Sequence, residues 1–166
     1  MASGTIKVKI KWGAKKTSKS IKIDAKTLEA ALDKLSRLPE WGKFEGEIGY
    51  QYKADKDKKV TEVTLKPSYE IKMPVWSKYG SAPKADKKEW DRMYKALAKH
   101  EDGHRLIHLE ALAKINAWLT SAEGLTVKEF KTAFEKKMKE GQKNQDKFDS
   151  STDHGTKKGV HLHIAA

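Results

Sequence analysis

Apolar and basic residues alternate from Thr5 to Trp12, the pattern of a half-buried strand. Gly13 to Ser20 is polar and reads as a turn, after which Ile21-Lys22-Ile23 is expected to return as a hairpin partner. Asp24 can cap a helix running to about Leu38, with Leu28, Ala31, Leu32 and Leu35 on its inner face and Pro39 as its stop. Phe44 to Lys53 and Val60 to Lys66 predict two further strands joined by the charged turn Ala54 to Lys59. Tyr69 to Val75 reads as a third strand or as an extended continuation of the second. Pro67 and Pro74 place that stretch at a sheet edge, because proline cannot donate to a ladder.

The period then changes. Trp90, Met93, Tyr94, Leu97, Ala111, Ile115 and Trp118 recur at helical spacing. Asp86 with Glu89 reads as a capping box opening this long helix, which should end near Leu119, with Gly124 just beyond. Thr126 with Glu129 is a second capping box. The helix after it carries Val127, Phe130, Phe134 and Met138 on one side and is expected to reach about Lys147. Phe148 to Gly159 reads as a polar turn, and Gly159 to Ile164 as a short final strand. These elements predict one α+β domain over residues 1–166, with a small, mostly antiparallel sheet packed on a long helix and a second long helix.

A chain of 166 residues can bury a core of its own. Charged residues make up 35% of it, and the formal net charge is +12. That balance favours acidic partners. The lysines are scattered through every segment, however, and no helix-turn-helix or RNA-binding signature accompanies them, so a specific nucleic-acid partner is not expected. No apolar run is long enough to span a membrane. Met1 to Gly4 shows no apolar signal region, which leaves a cytoplasmic location open. Cysteine is absent, so any zinc must be held by His, Asp or Glu.

The chemistry is concentrated in His100-Glu101-Asp102-Gly103-His104, which lies on the apolar stripe of the long helix. Residues four apart on a helix share a face, so both imidazoles point to one place. Glu101 is one step round, close enough to hold a water at a metal. Two histidines and a glutamate general base form the H-E-x-x-H arrangement of zinc peptidases. The alternative is a pair of core histidines with a carboxylate matched to Lys or Arg.

A peptidase zinc needs a third protein ligand. His108 continues the spacing, but it stands roughly 12 Å along the helix from position 100 at 1.5 Å per residue. Glu123 sits in Ser-Ala-Glu-Gly at a helix end. His154, in Phe148-Asp149-Ser150-Ser151-Thr152-Asp153-His154-Gly155, follows a returning helix; Asp149, Thr152 or Asp153 could hold its second ring nitrogen. His161 and His163 fall opposite Val160, Leu162 and Ile164 and are expected to face solvent.

Three segments in order carry a resemblance: Lys72-Met73-Pro74-Val75-Trp76, then the His100 to His104 motif, then Phe148 to Gly155. Together they resemble the DUF922 family of bacterial predicted zinc-dependent proteases, whose last motif begins with Tyr where this chain has Phe148. The resemblance covers roughly Trp41 to Val160. It implies a zincin-like domain, a secreted or periplasmic location, Zn2+ as cofactor, and His154 as the third ligand beside His100 and His104.

The expected function is therefore zinc-dependent peptide hydrolysis, endopeptidase rather than exopeptidase, with Glu101 as general base and a protein or peptide substrate of somewhat acidic character. The oxyanion would be met by Tyr79, His108, Arg105 or a C-terminal histidine. The substrate would pair with an edge strand within Val60 to Val75. Two other readings stay open. One is a non-catalytic zinc domain closed by a fourth ligand from His161, His163, Asp149 or Asp153. The other is a basic nucleic-acid-binding protein with an incidental motif. Oligomeric state is not legible in the sequence.

Overall fold

The computed structural model describes residues 4–165. These residues form a mixed α/β structure with one four-stranded sheet and three α-helices. In chain order these are β1 (Lys7–Ile10), β2 (Lys15–Ile23), α1 (Leu28–Ser36), β3 (Lys43–Ala54), β4 (Val60–Trp76), α2 (Lys84–Ser121) and α3 (Val127–Thr152). The chain divides into two compact units, one of Met1–Lys15, Gly46–Tyr69 and Arg105–Asp146, the other of Lys16–Glu45, Glu70–His104 and Lys147–Ala166.

The sheet corrects the antiparallel expectation. β1 runs parallel to β4, with Lys7 opposite Glu62 and Ile10 opposite Leu65. The sense continues: Tyr69 N donates to Ala14 O and Ser77 N to Ile23 O. Thus β1 and β2 are not a hairpin but successive neighbours of β4. A parallel return needs a crossover, and the chain through α1 and β3 supplies it. β4 neighbours all three other strands, so it is central rather than an edge. Pro67 lies opposite the break between β1 and β2, where its carbonyl accepts from Gly13 N.

In the first unit, Ile6, Ile48, Val60, Val63, Leu65, Leu112, Ile115, Leu119, Phe130 and Phe134 form the core. The Thr126 capping box is present: Glu129 N donates to Thr126 Oγ1 at 3.2 Å and Thr126 N to Glu129 Oε2 at 2.8 Å.

In the second unit, α1 buries Leu28, Ala31 and Leu35. Its cap is Thr27, which accepts from Ala30 N, while Asp24 accepts from Ser77 Oγ instead. The predicted box at Asp86 and Glu89 is not formed. Pro83 ends the preceding loop and α2 begins at once, with Lys87 N bonded to Pro83 O. Glu89 turns to Arg92 and to His163 N. The expected final strand at 159–164 is an irregular segment instead, with Val160 and Leu162 buried.

Candidate metal centre

The candidate site lies wholly in the second unit. Trp90, Met93 and Leu97 are buried on α2, and the same stripe continues into His100, Glu101 and His104, which are 6%, 2% and 6% exposed. His100 Nε2 and His104 Nε2 both reach Asp149 Oδ1, at 3.1 and 2.8 Å. One ligand atom from each of these three residues lies within 4.8 Å of the other two.

Asp149 comes from the last turn of α3, which runs to Thr152 and so replaces the expected turn after Lys147. Phe148 explains the continuation. Its ring stacks on His100 (centroids 4.9 Å apart, 14° between planes) and meets His104 edge-on at 4.9 Å. Gly103 makes room for it: a Cβ there would stand 2.5 Å from Phe148 Cζ. Phe44, at the start of β3, stacks on His104 at 6.1 Å. The imidazoles are thus held by aromatic rings before any ligand binds.

The turn after α3 is left-handed through three residues, Asp153 (φ 48°), His154 (φ 51°) and Gly155 (φ 89°). Such a run is unfavourable for non-glycine residues. Thr152 holds it, donating to Phe148 O and accepting from Gly155 N. Gly155 is required twice over, since a Cβ would also lie 2.6 Å from Val160 Cγ2 and 3.0 Å from His100 Cγ.

Burial is the first cause that pushes the Glu101 carboxyl up to about 8, with Glu40 and Asp149 adding to it. Glu101 Oε2 and His100 Nδ1 are buried with no hydrogen-bond partner among the described residues. Burial and then His104 lower the pKa of His100, and Asp149 opposes them.

The other expected residues are placed as follows. His154 is 57% exposed, with Nδ1 3.8 Å from Asp149 Oδ2. Asp153 accepts from Thr156 Oγ1. Tyr79 donates its hydroxyl to both oxygens of Asp91. His161 lies against Arg92, and Glu89 accepts from the backbone of His163. In the first unit, His108 is buried beside the Tyr69 ring, and Glu123 bridges to Thr5. Asp149, expected to hold a histidine ring or to close a structural site as a fourth ligand, is the carboxylate of the cluster. A signal for it exists: Phe134, Met138, Gly141, Gln145, Phe148 and Thr152 keep a three-and-four spacing, so the helix continues past Lys147.

Two imidazoles and a carboxylate converging from two helices, with a buried glutamic acid beside them, define a candidate metal centre in a mixed α/β protein. The chain belongs to the DUF922 family, described as bacterial protein of unknown function, whose model matches residues 5–155. No curated protein and no solved structure matches.

Proposed function

We propose that the protein is a zinc-dependent peptidase. The observation that carries this is the convergence of two Nε2 atoms of one helix on a single carboxylate oxygen, next to a buried glutamic acid on the same helix. The donor set fits the metal: two imidazole nitrogens and a carboxylate oxygen suit zinc. The Glu101 oxygen that lacks a partner also speaks for a group still to be bound. His100, His104 and Asp149 would hold it. His154, implied by the resemblance, stands beside Asp149 as the alternative or additional donor.

Zinc supplies a Lewis acid that polarises a carbonyl and acidifies a water. The remaining roles belong to the chain. Glu101 takes the proton of the attacking water and passes it to the leaving amine. A cation near the cluster opposes the upward push on its pKa and favours the carboxylate needed for that role. Phe148 and Phe44 fix the ring planes. Over most of its length β4 offers no edge, because it is the shared neighbour of the other strands. The start of β3 is better placed for an extended peptide: Phe44 lies on His104, and a Cβ on Gly42 would stand 2.9 Å from Glu101 Oε1. A secreted or periplasmic location rests on the resemblance alone. Among the described residues no helix is long and apolar enough to cross a membrane.

The second reading, a closed structural zinc site, is favoured by the nearness of His154 to Asp149, which would complete four donors. Hydrolysis of a casein and peptide panel by zinc-loaded protein, with Glu101→Gln as control, separates the two. A peptidase loses on the order of 10²-fold or more in the variant. Equal hydrolysis by a clean Glu101→Gln preparation removes the general-base role, and no hydrolysis by either protein favours the structural site.

A further inference from the structure

The C-terminal segment lies beyond the residues matched by the family, yet it is tied firmly to the first turns of α2. Arg92 Nη1 donates to Gly159 O at 3.1 Å and Nη2 to His161 O at 2.6 Å. The same guanidinium is held by both oxygens of Glu89, at 3.0 and 2.7 Å. Glu89 Oε1 also accepts from His163 N at 2.7 Å. The geometry is bidentate and charge-assisted, the strong form of such a contact. Arg92 and the His163 amide hold the Glu89 carboxyl down to about 2.

This segment continues directly from the candidate centre. Val160 and Leu162 are buried, and Val160 packs where Gly155 has no side chain. Gly155 in turn lies against the ring of His100. Three residues before it, Thr152 closes the turn that follows Asp149. Gly159 is left-handed as well (φ 96°), and a Cβ there would lie 3.4 Å from both Ala96 Cβ and Arg92 Nη1. The strap therefore has two fixed ends: one on Glu89 and Arg92, the other on His100 and α3.

We infer that Arg92, held by Glu89, is a positioning residue that acts through the C-terminal strap to press Gly155 and the Asp149 turn onto His100. The inference rests on the reading of His100, His104 and Asp149 as a metal centre. A loose strap frees the left-handed turn at 153–155 to relax, and relaxation moves Asp149 away from the two Nε2 atoms. This assigns a role in the centre to a pair about two and three turns away from it on α2, and to a strap outside the family match.

The test uses the full chain with Arg92→Ala, Arg92→Lys and Glu89→Gln. Three quantities are read: amide exchange at 152–163 and the ring NMR signals of His100 and Phe148, both in metal-free protein, and zinc affinity by chelator competition. In Arg92→Ala the strap should exchange faster, the His100 signals should shift, and zinc should bind about 10–100-fold more weakly. Added guanidinium should restore all three. Arg92→Lys should restore little, because an ammonium cannot match Glu89 and the two carbonyls together. A strap that loosens while the ring signals and zinc affinity stay unchanged overturns the inference, as does a strap that does not loosen. If Arg92→Ala does not fold, Glu89→Gln is judged by the same readings, since it removes the carboxylate that holds Arg92 and accepts from His163 N. If the native chain binds no zinc, the metal reading fails, and the ring signals alone still decide whether the strap positions His100.

Discussion

Gly103→Ala sets two effects of known sign against each other. Inside a helix, alanine is favoured over glycine by about 1 kcal/mol. On propensity alone the substitution in α2 should stabilise the protein. The structure puts the new methyl 2.5, 2.9 and 3.3 Å from three atoms of the Phe148 ring. Forcing an extra carbon into a packed site costs about 1–3 kcal/mol. Here the upper part of that range applies, because the ring cannot withdraw freely: it is stacked on His100 and set edge-on against His104, both at 4.9 Å. The expected net loss is about 1–2 kcal/mol, a fall in Tm of roughly 2–8 °C for a chain of this size. Urea unfolding of metal-free protein measures it. The sharper form is a cycle with Phe148→Leu: in that background the clash is relieved, and Gly103→Ala should become neutral or stabilising, a coupling of about 1 kcal/mol or more. A stabilised single variant, or a cycle without coupling, would refute the packing of Phe148 over Gly103.

Other expectations follow from the same geometry. Gly155→Ala combines a disfavoured left-handed backbone (φ 89°) with a 2.6 Å contact to Val160, so a loss above about 2 kcal/mol is expected in chemical unfolding, together with weaker zinc binding. Thr126→Ala removes the cap of α3 and should cost about 0.5–2 kcal/mol, with faster amide exchange confined to the first turn. In metal-free protein the carboxyl of Glu101, raised from 4.5 to about 8, binds a proton in the folded state that the unfolded chain has already lost. Stability should therefore fall as pH rises between those values, by at most about 3 kcal/mol at pH 7. Glu101→Gln should flatten that slope, and an unchanged slope would show that Glu101 ionises normally. Glu89 has the opposite sign: its carboxyl sits at about 2, so its contribution is complete above the ordinary carboxylate range and lost as pH falls through about 2. Amide exchange at 159–163 should rise over that acid window and should not in Glu89→Gln.

The local chemistry of the chain was legible where one element sufficed. The apolar stripe of α2 and the four-residue spacing of His100 and His104 fix a shared face by helix geometry alone, and the Thr126 capping box is a contact between near neighbours. What escaped was set by distant partners. The parallel pairing of β1 and β2 with β4 depends on a crossover that leaves no mark in either strand. The prolines of β4 argued for an edge, because the sequence cannot show that Pro67 meets a break between two neighbouring strands. Phe148 and Asp149 lie in a polar run that looks like a turn, yet the run stays helical because Phe148 packs over Gly103. Glu89 looked like a cap, but its carboxylate is taken by Arg92 and by a backbone amide 74 residues later.

The most direct test of the candidate centre is zinc per chain, measured by elemental analysis on protein purified without a histidine tag or added metal, then again after zinc is offered. The native chain should hold about one zinc, and His104→Ala and Asp149→Ala should hold little, with His154→Ala showing whether the exposed neighbour shares the site. Undiminished zinc in Asp149→Ala would contradict the cluster as drawn, and no zinc in the native chain under either condition would contradict the metal centre itself.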